Sequence, residues 1–268
     1  MCYNQIMKII RRGFTLIEVA LFLAITGALF VGIALGVQNS MFQQRYNDSV
    51  QSFAEFLRSA YSQTSNVQNP TGDGRSEQAV YGRLIVFGED ATLEGSQNNN
   101  NAIYAYDVVG NISNRPLSGN TLKALKELDV NVTNGSTFYG NVEEFTPRWM
   151  ATIQTTDNNA GQLSNFVGAI LIARNPTSGT TFTFVKNGST LNINSNLTGF
   201  KLADYLGEAD DGFKNQQVDF CVNPNGNQFS DARRDIRIIA NARNASGVEI
   251  IDMDAPGEDG NLCNRGGS

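Results

Sequence analysis

The fold class this sequence predicts is α+β: one long N-terminal α-helix packed on a mostly antiparallel, β-rich globular domain. Three observations carry that expectation. The first is an apolar run of 24 residues from Phe14 to Val37 (FTLIEVALFLAITGALFVGIALGV), interrupted by a single charge, Glu18. The second is a stripe that continues beyond it: Phe42, Tyr46, Val50, Phe53, Leu57 and Tyr61 recur at spacings of 4, 4, 3, 4 and 4, which is one face of a helix. The third is a succession of short β-prone runs, separated by turn formers, that fills the remainder.

Residues 1–13 (MCYNQIMKIIRRG) hold Lys8, Arg11 and Arg12 and no acid. The apolar run behind them would span about 36 Å as a helix, against a hydrocarbon core of about 30 Å. The basic flank places residues 1–13 in the cytoplasm and the rest of the chain outside. On physics alone three readings stay open. A secretory signal peptide would be cut at Ala34-Leu35-Gly36, before Val37, but its apolar region is usually about 7–15 residues long. A plain signal anchor explains length and orientation and leaves Glu18 unexplained. A specialised anchor accounts for Glu18, since an acid inside a membrane segment costs about 2.5–3.5 kcal/mol at the bilayer centre and is a mark of function.

The local sequence Arg12-Gly13-Phe14-Thr15-Leu16-Ile17-Glu18-Val19 resembles the class III signal of type IV pilins and type II secretion pseudopilins, and the resemblance extends over Gly13–Ala34. It implies that a prepilin peptidase cuts between Gly13 and Phe14 and methylates the new N-terminus at Phe14. The product would stay anchored. Glu18 becomes the fifth residue of the mature chain, and the family model pairs it with the terminal amine of a neighbouring subunit. A buried charge needs such a partner; the pair sets axial register while apolar area supplies affinity. Thr15 is expected to carry a solvated hydroxyl, with a local hydrogen bond as the alternative. Many pilins have a Pro within the apolar helix, whereas this chain has none before Pro70 and carries Gly27, Gly32 and Gly36 instead. Close helix packing accounts for these glycines better than local unwinding.

Past Val37 the polar residues Gln43, Gln44, Arg45, Asp48, Gln51, Glu55 and Arg58 fill the faces beside the apolar stripe. One helix is therefore expected over 14–63, roughly 75 Å long, with 14–37 as its membrane or filament-core part and 38–63 as its amphipathic part. The stripe is read as core packing. A break rich in turn formers follows at Asn66–Gln78. The β-rich head, 64–268, is expected to hold strands near Tyr81–Phe87, Ala102–Val109, Trp149–Thr155, Gly168–Arg174, Thr180–Lys186, Gln217–Val222, Arg234–Ala242 and Val248–Asp252. Two short helices are expected, Ser118–Leu128 and Leu202–Gly207. The 31 Asn residues, against 6 Pro, suit a chain rich in loops and turns. This layout is also the pilin-like architecture that the resemblance implies.

Composition removes several function classes. With no His, a Ser-His-Asp triad, a Cys-His dyad, an H-E-x-x-H zinc site and an imidazole proton shuttle are all excluded. Three Cys cannot complete a four-ligand zinc site without His. No motif supports an anchored hydrolase working through two carboxylates, so no enzymatic activity is expected. The net charge of −6 gives no global attraction to nucleic acid.

Cys2 lies in the leader that the resemblance removes, which leaves Cys221 and Cys263 as an even pair in the exported part. Such a pair reads as a structural disulfide, with two free thiols as the alternative. A bond would close 41 intervening residues and stabilise by about 4 kcal/mol on the chain-entropy model. Two acidic clusters, Asp204/Glu208/Asp210/Asp211 and Asp252/Asp254/Glu258/Asp259, do not fit the EF-hand spacing. They read as solvated faces; calcium, which has precedent in secretion pseudopilins, is the minor alternative, and no other cofactor is expected. Arg233, Arg234, Arg237 and Arg243 form a basic patch. Surface pairing with Asp231 and Asp235 is preferred for it over DNA binding, which needs a net positive face.

The sequence thus reads as a prepilin, the precursor of a type IV pilus subunit, minor rather than major, with 255 residues (268 − 13) left after cleavage. Its expected partners are other pilins through the N-terminal helix, the prepilin peptidase, an inner-membrane assembly platform, and the membrane before assembly. A type II secretion pseudopilin is the alternative, because FCVNPNG and GVEII resemble segments of H-type pseudopilins. A pilus-tip module binding DNA or a surface is the other. Expected locations are the bacterial inner membrane, N-terminus inside, and then an extracellular pilus or a periplasmic pseudopilus.

Overall fold

The structure, a computed structural model, describes residues 15–66, 78–87, 103–111, 118–132, 142–156, 163–164, 167–187, 191, 200–206, 212–223 and 234–251. The chain divides into two compact units, Met1–Gln44 and Arg45–Ser268. Helix α1 runs over Leu16–Ser65, two residues beyond the expected end at 63. From Tyr46 onwards its apolar stripe is buried: Tyr46, Val50, Phe53, Leu57 and Tyr61 lie in one core with Phe56 and Ala60, while Asp48, Gln51 and Glu55 are exposed.

Among the described residues every strand pair is antiparallel, and the strands form two sheets. In the first sheet β1 (Gln78–Phe87) lies between β2 (Ile103–Asn111) and β7 (Val167–Arg174), and β8 (Thr181–Asn187) pairs with the far side of β7. Two short strands, β3 (Asn131–Val132) and β4 (Val142–Phe145), share the outer side of β2. In the second sheet the order is β11 (Val248–Ile251), β10 (Arg234–Ile238), β9 (Val218–Asn223), β5 (Thr152–Thr156) and β6 (Leu163–Ser164). The long helix and the antiparallel sheets make the chain α+β.

Alternation along each strand explains the layers. On the first sheet Ile85, Ile103, Ala105, Ile170 and Ile172 join the core around α1. Their neighbours Leu84, Val86, Tyr104, Tyr106, Leu171 and Ala173 face a second core, closed by α2 (Thr121–Glu127) and α3 (Leu202–Tyr205). With both faces covered, β7 reads as a nearly continuous apolar run, VGAILIAR. On the second sheet Val218, Phe220, Val222, Ile236, Ile238 and Val248 meet α1, and their alternates are Asp219, Cys221, Asp235 and Arg237.

Gly82 sits at a register shift in β1, and a Cβ there would lie 2.3 Å from the carbonyl oxygen of Ile172. Only glycine admits so close a strand approach. Asn120 caps α2 by accepting from the Lys123 N–H at 3.2 Å, which starts the helix at Thr121 rather than at the expected Ser118. The strand expected to reach Ala242 ends at Ile238, because a turn with Asn241 at φ 61° follows. Trp149, expected in a strand, lies instead in a 3-10 turn over Arg148–Met150, and β5 begins at Thr152.

Candidate functional site

The strongest functional signal in the sequence falls at the start of α1. Gly13 and Phe14 lie outside the described residues. Thr15 and Glu18 form a reciprocal capping box. The Glu18 carboxylate accepts from the Thr15 N–H at 2.9 Å and from its hydroxyl at 3.0 Å, through Oε2 in both cases, and the Glu18 N–H donates back to the Thr15 hydroxyl at 3.3 Å. The Thr-x-x-Glu spacing satisfies helix-start donors that would otherwise have no partner. The expectation of a merely solvated Thr15 hydroxyl is thus corrected: it is tied to Glu18. The spacing alone could have revealed this box.

Beyond the cap, apolar side chains stand exposed around the helix, among them Leu16, Ile17, Leu21, Phe22, Ile25, Leu29, Phe30 and Ile33. By length and composition α1 could cross a membrane. Its one mid-run polar group other than glycine, Thr26, donates back to the carbonyls of Phe22 and Leu23 at 2.8 and 3.1 Å, so its hydroxyl is satisfied within the helix. Among the described residues no side chain comes within 4 Å of a Cβ built at Gly27, Gly32 or Gly36.

Cys221 is disulfide-bonded and buried, on the face of β9 opposite α1; Cys263 lies outside the described residues. Of the two acidic clusters only Asp204 is described, and it is exposed. Among the described residues no group of three or more metal-ligating side chains stands together. The arginines are dispersed rather than gathered. Arg237 pairs with Asp219 at 2.6 Å, its opposite number across the β9–β10 ladder; of the expected partners, Asp235 is buried in β10 and Asp231 lies outside the described residues. Arg243 lies over the Phe182 ring at 5.6 Å, the backbone N–H of Arg234 donates to the Tyr46 hydroxyl at 2.6 Å, and Arg233 lies outside the described residues.

Two features carried no sequence signal. Arg83, on the α1 face of the first sheet, is 2% exposed and stands 3.4 Å from Asp107 and 3.1 Å from Glu143. Reading strand alternation could place its side chain; only the pairing of β2 with β4 brings Glu143 to it. Trp149 is more than half exposed, with the Arg45 guanidinium 4.6 Å above its ring. Elsewhere, burial pushes the hydroxyls of Tyr61 and Tyr106 up to about 12.

These features define an α+β chain whose long helix α1 has an exposed apolar part with a carboxylate-capped start, and, from Tyr46, a face buried against two antiparallel sheets. Compared with protein-family models, curated proteins and solved structures, the chain shows no match.

Proposed function

We propose that the chain is the precursor of a filament subunit of the type IV pilin class, a minor pilin, anchored in the bacterial inner membrane with its N-terminus inside. On this reading a prepilin peptidase cuts between Gly13 and Phe14 and methylates Phe14. The anchored subunit then assembles through its helix with other pilins at an inner-membrane platform. The observation that carries the proposal is the sequence Gly13-Phe14-Thr15-Leu16-Ile17-Glu18 at the start of a helix whose next turns expose apolar side chains all round. Such a surface must be covered by lipid or by other helices. A carboxylate at its head gives a neighbouring amine a partner. The capping box leaves that role open, since each carboxylate oxygen accepts more than one hydrogen bond.

Intact-mass and N-terminal analysis of the protein from its own membranes tests this. The expected first residue is N-methyl-Phe14; a chain starting at Val37 would establish a secretory signal and end the pilin reading. Gly13→Val is expected to block the cut, because a branched side chain crowds a cleft that admits the glycine backbone. A type II secretion pseudopilin is the second reading. It is favoured by the strands Val218–Asn223 and Val248–Ile251, which carry the H-type-like segments and flank one strand of the same sheet. Immunogold labelling of sheared surface filaments separates the two.

A further inference from the structure

The only large apolar side chains exposed among the described residues after Gln44 are Trp149 and Ile239. Trp149 is also the single tryptophan of the chain. It stands at the tip of the connection between β4 and β5, after the buried Pro147, with the Ala151 N–H donating to the Arg148 carbonyl at 3.2 Å to close the turn. Its backbone is left-handed, at φ 58° and ψ 37°, a conformation that a bulky residue rarely adopts. A left-handed backbone at an exposed aromatic residue is the kind of outlier that collects at binding surfaces. The Arg45 guanidinium covers one face of the indole at 4.6 Å, and Arg148 is exposed beside it. Segments 41–47 (MFQQRYN) and 146–151 (TPRWMA) hold these two arginines and no acid, with the exposed Asp48 and Glu144 just outside them.

We infer that Trp149, Arg45 and Arg148 form a lipid-docking patch that seats the globular unit on the anionic surface of the membrane holding its own helix. This rests on the proposed membrane insertion of α1 and is independent of filament assembly. Two observations favour lipid as the occupant. The first is chain length. Arg45 follows Val37, the end of the apolar run, by eight residues, about 12 Å of helix, so the patch is tethered within reach of the headgroup layer. The second is chemistry: indole rings concentrate at membrane–water interfaces, and guanidinium groups pair with lipid phosphates. The ring would enter the headgroup boundary by its uncovered face while both arginines hold phosphates.

The lone tryptophan makes the wild-type, full-length chain its own probe. The protein is reconstituted into phosphatidylcholine–phosphatidylglycerol vesicles, and flotation with the vesicles confirms insertion. Replacing the lipids with acyl-brominated equivalents is expected to remove most of the Trp149 emission, and aqueous iodide is expected to quench poorly. High salt should weaken the lipid quenching, as should pure phosphatidylcholine. Arg45→Gln and Arg148→Gln should each lower the ratio of docked to free patch about fivefold. Emission that is fully open to iodide and blind to brominated lipid, in protein that floats, overturns the inference while leaving the anchor intact. Shielding that instead rises with protein density and ignores brominated lipid overturns it in favour of a second copy. Failure to float overturns the anchor and this inference together.

Discussion

Glu18 has two physical roles open to it, and they make different demands on its neighbours. As half of a capping box it satisfies the Thr15 N–H of its own helix; as an assembly charge it would satisfy the Phe14 amine of another subunit. A cap is worth about 1 kcal/mol, whereas leaving one partner of a buried pair alone costs about 3–5 kcal/mol. Loss of the pair therefore outweighs loss of the cap. Thr15→Val, which keeps the charge and loses the box, is expected to enter filaments nearly as wild type. Glu18→Val is expected to be cut and retained in the membrane but largely excluded from filaments, with Glu18→Asp between. The fraction of tagged subunit in sheared filaments, with membrane protein as control, measures this, and equal incorporation of Glu18→Val would sink the pairing mechanism. Arg83 poses a similar contrast inside the globular unit. Its guanidinium is fully desolvated while Glu143 is 43% exposed. Arg83→Met leaves the mostly buried Asp107 carboxylate, 16% exposed, without that guanidinium and should cost about 3 kcal/mol, whereas Glu143→Gln leaves Arg83 its Asp107 contact and should cost less than about 1 kcal/mol, in urea unfolding of the detergent-solubilised chain.

At the scale of elements, α1 is stitched to both sheets by two tyrosines one core-length apart. The Tyr46 hydroxyl donates to the Val222 carbonyl at 2.8 Å and accepts from the Arg234 N–H, joining β9 to β10 at the helix. Thr183 donates its one hydroxyl proton to the Ala242 carbonyl at 2.9 Å. The 2.5 Å contact between Tyr61 and Thr183 must then have Tyr61 as donor, and the relay ties helix, first sheet and the turn after β10 together. Tyr46→Phe and Tyr61→Phe are each expected to cost about 1 kcal/mol. They lie about 22 Å apart along the helix, so the double variant should lose about 2 kcal/mol, the sum of the two. Alkaline pH tests the same contacts. Tyr61 and Tyr106 keep their protons up to about 12 when folded, mainly because they are buried, whereas unfolded tyrosine ionises near 10. Between these values the unfolded state releases protons that the folded state holds. Stability should therefore be flat with respect to these groups below about pH 10 and fall above it, by roughly 1.4 kcal/mol per pH unit for each tyrosine. Phenylalanine at both positions should flatten that slope, as followed by denaturant titration across the alkaline range.

At the scale of the whole molecule, the disulfide at Cys221 fixes the central strand of the second sheet on its far side from the helix. Cys221→Ser should lower the urea midpoint by an amount equivalent to a few kcal/mol, and non-reducing peptide mapping of the wild type identifies the partner, with Cys263 expected. The long helix was legible in the sequence from its apolar period, and eight strands from apolar or β-branched runs set between turn formers. Strands β3, β4 and β6 were not: two are two residues long, and β4 reads Val-Glu-Glu-Phe, a segment whose acids oppose a strand reading until Arg83 stands beside one of them.

Sequence by itself determined the α+β class, the membrane-length apolar helix, the buried stripe from Tyr46 to Tyr61 and the Thr15–Glu18 spacing. All of these rest on local period or composition, which need no knowledge of what lies opposite. Tertiary structure alone decided which partners the charges take. Arg237 found Asp219 because the β9–β10 register sets the two face to face. Arg83 found Glu143 because β4 pairs beside β2, and Arg45 found Trp149 because a left-handed turn aims the indole at the helix. Pairing across strands depends on register and distance between residues far apart in the chain, and neither quantity is written in any local pattern.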